Sequence, residues 1–333
     1  MPAGKTMRGA MILGHSARRR IYPEPVVSRI SEHVEWVSEP LSAAEAREKL
    51  AALRDAEVIF SGWQGLELTG EVLQALPELK LVLYGAGSLR GIVTEAFWKR
   101  GITICSAVAA NAVPVAEYVL SQILFGLKRG WAHAARCKRG GRELLPMPGA
   151  FGSTVGLVSL GTVGRLVCRL LRAFDIRVIA YDPFVAEAEA AGLGVTPRTL
   201  EEVFRESEVV SLHIPDLPET KGMITGRHIE SMRPNAVLVN TARGSVVREA
   251  EMCEALASRS DVWAVLDVTH PEPPEPDSPL YRLPNVVLTP HIAGSMDGEC
   301  ARMGLYMAEE LERFVAGKPL KWTVDEKRFR VMA

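Results

Sequence analysis

Residues 154–165 of the sequence read TVGLVSLGTVGR, an apolar run that leads into two closely spaced glycines. In the dinucleotide-binding pattern G-x-G-x-x-G, the middle glycine lets the backbone approach a pyrophosphate, and the last lets helix and strand pack closely. Gly161 and Gly164 occupy these two places, whereas Ser159 stands at the first. The apolar pattern of residues 166–174 is typical of a helix face. The stretch therefore predicts a strand, a tight phosphate-binding turn and a helix.

An acidic residue follows at the spacing that this pattern requires. The next apolar run ends at Asp182, which stands 21 positions after Gly161. A carboxylate there can accept hydrogen bonds from both ribose hydroxyls of a dinucleotide, and it repels a 2'-phosphate. We therefore expect NAD rather than NADP; the alternative is a generic strand–helix turn followed by an Asp-Pro turn.

The same alternation of short apolar runs and helical stretches extends in both directions from the turn. Ser42 and Glu45 have the spacing of a capping box at the start of a helix over residues 42–53. The predicted strands are 10–13, 34–37, 57–61, 79–84 and 102–105 before the turn, and 154–160, 177–181, 209–214, 236–240, 262–267 and 286–289 from it onward. The alternation predicts an α/β fold with parallel sheets.

A long helical segment, residues 112–139, divides the two series of strands. Pro114 lies where the first turn of a helix tolerates proline, and a glycine- and proline-rich stretch follows the segment. A last helix, over residues 295–315, could return to pack on the first domain. We therefore predict one domain from residues 1–111 plus 293–333, with a dinucleotide-sized domain, residues 112–292, inserted into it.

The composition is that of an ordinary globular protein. Hydrophobic residues make up 47% of the 333 residues and charged residues 24%, which excludes the collagen-like, disordered and disulfide-scaffold classes. The 39 Lys and Arg residues nearly balance the 40 Asp and Glu residues. No net field is therefore available to hold a nucleic acid or an anionic membrane, and a small ligand is expected instead.

The cysteines and the N-terminal residues indicate the cellular compartment. The five cysteines are widely spaced and form no C-x-x-C pair, so neither a disulfide framework nor a metal site is expected. The first 20 residues do not have the order of a secretory signal peptide. We also expect no window apolar enough to span a membrane, and hence a cytoplasmic protein.

Polar residues follow the predicted strands of the second series. Ligands of open α/β sheets bind beyond the carboxyl ends of the strands, where Arg243, Glu272 and His291 stand. An arginine can hold a carboxylate and polarise the neighbouring carbonyl. A histidine can carry a proton, and a glutamate beside it would orient the ring and favour its protonated form. The interconversion of a 2-hydroxy acid and a 2-keto acid needs these groups, with the cofactor performing the hydride transfer.

Each of these residues also has a plainer interpretation. Arg243 could form only a surface ion pair, and Glu272 could be solvated in its proline-rich loop. His270 is a rival proton carrier. We expect His213 to be structural or part of a cofactor loop, and His228 to lie on the surface.

Several stretches resemble the D-isomer-specific 2-hydroxyacid dehydrogenase family, which includes glyoxylate/hydroxypyruvate reductases and phosphoglycerate dehydrogenases. They follow one another in the family's order. They are NAVPVAE (111–117), the turn at 156–164, VVSLHIP (209–215), MRPN (232–235), VNTARG (239–244), LDV (266–268), PEP (271–273) and TPHI (289–292).

The resemblance implies two flavodoxin/Rossmann-like lobes with parallel sheets, in which the NAD-binding Rossmann domain is inserted into the substrate domain. It further implies an active site in the cleft and a homodimer formed through the cofactor domain. Arg243, Glu272 and His291 take the catalytic positions, and Arg243 and His291 also bind substrate together with Ala86 and Gly87. The residues implied to bind NAD are Leu160, Gly161, Thr162, Val163, Gly164, Asp182, His213, Pro215, Thr241, Ala242 and Asp267, the last at the nicotinamide carboxamide.

The chain departs from the family at two places. Ser159 replaces the first glycine of the turn. In the loop YGAGSLR, residues 84–90, the family commonly has an aspartate shortly after the second glycine, whereas this chain has Leu89 and Arg90. Arg90 could attract a second acidic group of a substrate, although an ordinary surface salt bridge is favoured.

The resemblance predicts an NAD-dependent oxidoreductase that interconverts a small 2-keto acid and its D-2-hydroxy acid. The alternative is an NAD-sensing, corepressor-like interaction module, because corepressors of the same family bind NAD. A formate dehydrogenase is disfavoured, since that branch carries glutamine where Glu272 stands.

Overall fold

A computed structural model describes residues 6–331 of the chain. Over this range the chain forms twelve strands and fourteen α-helices and separates into two compact units. Unit 1 comprises residues 6–112 and 295–331, and unit 2 comprises residues 113–294. The predicted boundaries fall at residues 111/112 and 292/293, and the assignment of a substrate role and a cofactor role to the two domains stays a prediction.

Unit 1 is built on a five-stranded sheet. Its strands are β1 (Met7–Ile12), β2 (Val34–Trp36), β3 (Val58–Ser61), β4 (Leu81–Tyr84) and β5 (Thr103–Ser106). They pair in the order β2-β1-β3-β4-β5, and every pair is parallel. This is the flavodoxin-like strand order of doubly wound α/β folds.

Unit 2 is built on a seven-stranded sheet. Its strands are β6 (Ser153–Val158), β7 (Ile176–Tyr181), β8 (Val195–Pro197), β9 (Val209–Leu212), β10 (Val237–Asn240), β11 (Trp263–Leu266) and β12 (Val286–Leu288). They pair in the order β12-β11-β10-β9-β6-β7-β8, again with every pair parallel. The chain reverses its winding direction between β6 and β9, the switch point at which such sheets bind ligands. The predicted α/β class with two parallel, flavodoxin- and Rossmann-like sheets is confirmed.

The helices alternate with the strands along the chain. They are α1 (His15–Ile21), α2 (Glu24–Ser31), α3 (Ala43–Glu48), α4 (Gly70–Ala75), α5 (Glu95–Arg100), α6 (Val108–Leu127), α7 (Gly130–Lys138), α8 (Thr162–Leu171), α9 (Glu187–Leu193), α10 (Leu200–Glu206), α11 (Gly226–Glu230), α12 (Glu249–Ser258), α13 (Cys300–Val315) and α14 (Glu326–Val331). The predicted capping box at the start of α3 is present: Ser42 accepts from the Glu45 backbone, and the Glu45 carboxylate accepts from the Ser42 amide.

The predicted continuous helix over residues 112–139 is wrong. It is two helices, α6 and α7, separated at Arg129, whose φ of 48° lies in the left-handed region. A left-handed residue ends an α-helix because the next amide can no longer reach the carbonyl four residues back. Helix α6 also begins at Val108, so Pro114 lies inside it and not in its first turn.

Apolar side chains cover both faces of each sheet. Along β1, Ala10 and Ile12 belong to one core cluster and Met7 and Met11 to another, as the alternation of a strand requires. The strands of unit 2 divide in the same way between two further clusters. Burial on both faces is what parallel sheets need, and it explains the nearly continuous apolar runs in the sequence.

Helix α6 contradicts the expectation that no window is apolar enough to span a membrane. By length and composition, its 20 residues meet that criterion, with a mean hydropathy of 1.4. Val119, Ile123 and Leu127 on this helix are buried in a core cluster of unit 2. Such burial is what the core helix of a folded domain shows, so composition alone does not assign α6 to a membrane.

Candidate functional site

Five neighbouring strands of unit 2 end at the same edge of the sheet. In parallel pairs, β6 lies beside β9, β9 beside β10, β10 beside β11, and β11 beside β12. The residues that follow these strands therefore stand next to one another. In strand order they are the turn at Ser159, then His213, Thr241 to Arg243, Asp267, and Thr289 to His291.

The glycine turn, residues 159–161, joins β6 to α8. Ser159 has a φ of 78°, a backbone conformation that glycine adopts most readily. A Cβ on Gly164 would lie 2.4 Å from the carbonyl oxygen of Ser159, so the start of α8 packs directly on the turn. A Cβ on Gly161 would meet no atom within 4 Å. The space above Gly161 is therefore open to a ligand, next to helix amides that have no intrahelical acceptor.

Asp182 holds this turn from the end of the adjacent strand β7. Its Oδ2 accepts a hydrogen bond from the Leu160 amide at 2.7 Å and a longer one from Ser159 Oγ at 3.4 Å, and its Oδ1 accepts from the Phe184 amide at 2.8 Å. The Asp182 side chain is partly exposed. Each carboxylate oxygen has two lone pairs, so Asp182 can fasten the turn and still accept from a ligand.

Two buried polar atoms beside the turn have no partner within the described residues. They are Nε2 of His213 and Oγ1 of Thr241. Burial lowers the pKa of His213 to about 4, so its imidazole is neutral at physiological pH. The ring lies against α8, with Cδ2 3.6 Å from the position of a Cβ on Gly164. Buried polar atoms are normally hydrogen-bonded, so these two atoms fit a site that a polar ligand completes.

The chain after β10 is held by its own hydrogen bonds. Asn240 donates from Nδ2 to the Arg243 carbonyl at 3.0 Å and accepts from the Ala242 amide at 3.0 Å. The Arg243 guanidinium donates to the Ala242 carbonyl at 2.7 Å. Farther along the edge, the Pro215 carbonyl accepts from Thr220 Oγ1 at 2.5 Å. The role of Asn240 was not predicted, although its place as the last residue of a strand was the available signal.

His291 and Glu272 form a pair at the edge of the sheet. His291 Nδ1 lies 2.7 Å from Glu272 Oε1, and the two side chains are 47% and 42% exposed. The backbone of His291 has a φ of 54°, in the left-handed region that costs a non-glycine residue free energy. The rival, His270, is exposed and forms no such pair in the described part of the chain.

Asp267 fixes the residues around His291. It is only 1% exposed, and its Oδ1 accepts from Thr289 Oγ1 at 2.6 Å and from the Ile292 amide at 2.8 Å, while Oδ2 accepts from the Ala293 amide at 2.9 Å. Tyr118 extends this network, with its hydroxyl 3.1 Å from Thr289 Oγ1. Thr289 and Tyr118 are positioning residues that were not predicted, because only the fold brings them to Asp267.

A close backbone contact links the Arg243 segment to the loop that carries Glu272. A Cβ on Gly244 would lie 2.0 Å from the carbonyl carbon of Thr269, so only glycine lets the two segments meet. Between residues 6 and 331, however, no hydrogen bond or ion pair joins Arg243 to Glu272 or His291. Arg243 is therefore brought to the same edge of the sheet, but among the described residues it is neither hydrogen-bonded nor ion-paired to Glu272 or His291.

In unit 1, Ala86 and Gly87 form the turn after β4. Ser106 Oγ lies 3.0 Å and 2.8 Å from their carbonyl oxygens, which share its single hydroxyl proton. Among the described residues, no acceptor is bonded to the amide of Ala86 or Gly87. The turn thus has its carbonyls satisfied and its N–H groups available, the arrangement that can bind a carboxylate.

His228 caps a helix and is not an acid/base candidate. Its Nδ1 accepts from the Thr225 amide at 3.0 Å at the start of α11, and burial lowers its pKa. Between residues 6 and 331, no group of three or more His, Cys, Asp or Glu side chains is placed to hold a metal ion.

Comparison with known proteins finds one matching family model and several similar proteins. Residues 121–293 match the family described as "D-isomer specific 2-hydroxyacid dehydrogenase, NAD binding domain". The chain is 33% identical to the D-3-phosphoglycerate dehydrogenase of Archaeoglobus fulgidus over 78% of its own length and 50% of that protein. It is 32% identical to the glyoxylate reductase of Korarchaeum cryptofilum over 90% of its own length and 92% of that protein. The chain thus spans about half the length of the D-3-phosphoglycerate dehydrogenases that it matches.

Solved structures share the fold. The TT0316 protein from Thermus thermophilus superposes with a TM-score of 0.74 at 28% identity, covering 96% of this chain and 100% of that one. The D-mandelate dehydrogenase of Rhodotorula graminis superposes with a TM-score of 0.78 at 23% identity, covering 96% of this chain and 98% of that one.

Proposed function

The chain belongs to the D-isomer-specific 2-hydroxyacid dehydrogenase family, and we propose that it uses NAD to interconvert a small 2-keto acid and its D-2-hydroxy acid. The observation that carries this proposal is the pair formed by His291 and Glu272, 2.7 Å apart at the ligand-binding edge of the unit 2 sheet. A histidine paired with a carboxylate is suited to exchanging a proton with a substrate hydroxyl.

The residues of the same edge fit an NAD molecule. The open space above Gly161 and the first amides of α8, at Thr162 and Val163, suit the pyrophosphate. Asp182 has acceptor capacity left for the ribose hydroxyls, and the unpartnered atoms of His213 and Thr241 would gain partners. When bound, NAD accepts or donates the hydride at the substrate carbon.

The chain's own residues would bind the substrate and transfer the proton. Arg243, a permanent cation with a forked donor geometry, would bind the substrate carboxylate and polarise the C2 oxygen. In unit 1, the free amides of Ala86 and Gly87 suit the substrate-binding role that the family resemblance implies for them. His291 would donate a proton from Nε2 to that oxygen during reduction and remove it during oxidation, while Glu272 on Nδ1 orients the ring and stabilises the imidazolium.

Asp267 would support this chemistry by holding the segment that carries His291. The sequence predicts a contact between Asp267 and the nicotinamide carboxamide, and this contact remains a proposal. The hydrogen bonds that Asp267 accepts from Thr289, Ile292 and Ala293 all serve the segment that carries His291. Oδ2, with one of these donors, has capacity for a second.

The alternative of an NAD-sensing interaction module is not favoured. The relatives are named as a dehydrogenase and a reductase, and the histidine–glutamate pair is present in this chain. A module that only senses NAD would not need this pair.

Consumption of NADH by the purified chain tests the proposal. Glyoxylate, hydroxypyruvate, pyruvate, phenylpyruvate and phosphohydroxypyruvate would each be offered, with NADPH in parallel. We expect turnover of at least one acid with NADH, and a loss of roughly 10²- to 10⁴-fold in His291→Ala, the usual contribution of a general acid/base. His270→Ala, in the same region of the chain, is the matched control and should retain activity. Absence of turnover with all five acids would contradict the proposal.

We also propose that the protein is a cytoplasmic homodimer with no nucleic-acid or membrane partner. In unit 2, helix α7 has no buried residue, and the segment after it exposes Leu144 at 80% and Phe151 at 86%. A second copy covering this surface would remove that apolar area from water. All five thiols are free, which suits a reducing compartment. Size-exclusion chromatography with light scattering would test the dimer, and a monomeric mass at micromolar concentration would contradict it.

A further inference from the structure

One arginine of unit 1 lies over an aromatic ring at the ligand-binding edge of the sheet. Arg20 is in the last turn of α1, and its Cζ is 5.4 Å from the centroid of the Trp63 ring. Trp63 follows β3. A guanidinium at this distance from an indole gains a cation–π attraction that holds it in place and leaves N–H groups available to a ligand.

Arg20 has no carboxylate partner among the described residues. Within residues 6–331 no ion pair or side-chain hydrogen bond includes its guanidinium, and its Nε is buried without an acceptor. A ligand that supplies an acceptor would therefore satisfy this donor and the charge of the partly buried guanidinium. Its neighbour Arg19 is exposed to solvent and has no such constraint.

Ile21, the residue after Arg20, packs against the segments that carry Trp63 and the Ala86–Gly87 turn. A Cβ on Gly62 would lie 2.9 Å from Ile21 Cδ1, and a Cβ on Gly85 would lie 2.7 Å from Ile21 Cγ2. Both glycines are therefore pressed against the same isoleucine. Trp63 directly follows Gly62, and Ala86 directly follows Gly85. Arg20 directly precedes Ile21.

The strand order reinforces this placement. Strands β1, β3 and β4 are neighbours and parallel, so the segments after them meet at one edge of the unit 1 sheet. The edge thus carries two anion-binding elements: the free amides of Ala86 and Gly87, and the unpaired guanidinium of Arg20. A ligand with one acidic group would use one element, and a ligand with two acidic groups would use both.

We propose that Arg20, supported by Trp63, is a specificity residue that binds a second acidic group of the substrate, a carboxylate or a phosphate. This proposal rests on the proposed function, because the first acidic group is the carboxylate of the 2-keto acid. The preferred substrate class is therefore a 2-keto acid with an anionic far end. The planar fork of the guanidinium matches both carboxylate and phosphate oxygens.

Two pairs of substrates, each differing by one acidic group, test the proposal. Phosphohydroxypyruvate is compared with hydroxypyruvate, and oxaloacetate with pyruvate, by the ratio of kcat/KM within each pair. The first pair differs by a phosphate and the second by a carboxylate, so the pair whose ratio changes in the variant identifies the acidic group that Arg20 binds. In the wild type we expect the doubly acidic member to be preferred at least about tenfold in one pair. Arg20→Gln should lower that ratio about tenfold, equivalent to about 1.4 kcal/mol, and leave kcat/KM of the other member within about twofold.

Two further variants complete the design. Arg19→Gln removes an adjacent, exposed charge and should leave both ratios unchanged. This variant controls for the non-specific attraction of an anionic substrate by the positive charges of α1. Arg20→Lys keeps the charge but not the fork and should retain part of the preference. A ratio that does not change in Arg20→Gln, an equal loss for both members of a pair, or a wild type that prefers the singly acidic member in both pairs would each overturn the proposal.

Direct binding separates this proposal from the proposed function. If the wild type turns over none of the four acids, calorimetric titration with D-3-phosphoglycerate and with D-glycerate decides the matter. Tighter binding of the phosphorylated acid by the wild type, lost in Arg20→Gln, would support the anion site while the dehydrogenase proposal fails. Equal affinity for the two acids, or no binding of either, would overturn the anion site as well.

Discussion

Two turns at the ligand-binding edge of unit 2 are built alike. The glycine turn carries Ser159 at a φ of 78°, and the histidine turn, residues 289–293, carries His291 at a φ of 54°. In both, an aspartate from the end of the adjacent strand accepts backbone hydrogen bonds beside the left-handed residue. Asp182 does so for the first turn and Asp267 for the second. The fold thus uses one device twice to hold a backbone that would otherwise be unfavourable.

The two aspartates differ in burial, and this difference predicts a structural role for Asp267 and a binding role for Asp182. Asp267 is only 1% exposed and accepts three hydrogen bonds from the histidine turn. Asp182 is partly exposed and accepts one strong hydrogen bond from the glycine turn, at the Leu160 amide. A buried carboxylate must be satisfied by the protein itself, whereas an exposed one keeps capacity for a ligand.

Asp267→Asn should have the largest effect. The amide group can accept through one oxygen only, so the buried N–H of Ile292 or of Ala293 would lose its acceptor, and the remaining hydrogen bonds would lose their charged acceptor. We expect the free energy of unfolding to fall by about 3 kcal/mol, and the Tm by roughly 6–12 °C. Thermal unfolding followed by circular dichroism measures this. Asp182→Asn is the matched control, and equal losses of Tm in the two variants would contradict the difference between the two aspartates.

His213 should make the glycine turn sensitive to acid. Its pKa is lowered to about 4 by burial, so between roughly pH 6.5 and pH 4 the unfolded chain binds a proton that the folded chain does not. Stability therefore falls as the pH falls through this window, by up to about 3 kcal/mol. His213→Gln should flatten the difference between unfolding at pH 7 and at pH 5, measured in urea. Substitution of the exposed His270 by Gln should leave the pH dependence of the free energy of unfolding as in the wild type. A wild-type pH dependence in His213→Gln would contradict the role given to His213.

Asp182→Asn should affect cofactor binding more than stability. Removing the charge weakens two hydrogen bonds to the ribose and removes the repulsion of a 2'-phosphate, so affinity for NADH should fall about tenfold, the loss expected for charge-assisted bonds. The preference for NADH over NADPH should narrow. Fluorescence titration of both dinucleotides measures this, with Asp175→Asn, just before the start of the same strand, as a control. An unchanged preference would show that Asp182 serves the turn alone.

Ser159→Gly should have the smallest effect, and a favourable one. Glycine adopts a positive φ without the Cβ penalty, so the free energy of unfolding should rise by about 0.5–1 kcal/mol. Ser159→Ala keeps the Cβ and removes only the 3.4 Å contact with Asp182, so it should give no such gain. Urea unfolding of the three proteins compares them, and a similar change in both variants would assign the effect to the lost hydroxyl.

Local patterns were predicted well, and long-range contacts were not. The capping box at Ser42 and Glu45 was found because it depends on residues three positions apart. Strand β8 was missed because it has only three residues and ends in proline, which an edge strand tolerates. The predicted starts of two helices, at residues 166 and 295, were also displaced from those of α8 at Thr162 and α13 at Cys300. The break at Arg129 was missed because no local rule favours a left-handed arginine there.

In the candidate site, too, residue identities could be predicted from the sequence, whereas the contacts between residues could not. His291, Glu272 and Arg243 could be named from the sequence, because each follows a strand or matches a family motif. The pairing of His291 with Glu272 depends on the tertiary fold, as does the absence, within residues 6–331, of a hydrogen bond or ion pair from Arg243 to either of them. The supporting roles of Thr289 and Tyr118 could not be foreseen, since they lie 22 positions (289 − 267) and 149 positions (267 − 118) from Asp267 in the chain.

Three features could be predicted without coordinates of any kind: the alternation of strands and helices, the glycine turn, and the types of residue at the strand ends. These follow from periodicity, glycine placement and side-chain chemistry, which act over a few residues. Three other features depend on the fold: which aspartate is buried, which donors it satisfies, and the position of Arg20 over Trp63 without an ion-pair partner among the described residues. Burial and pairing depend on segments far apart in the chain, and the free energy of a charge depends on those surroundings more than on its neighbours in sequence.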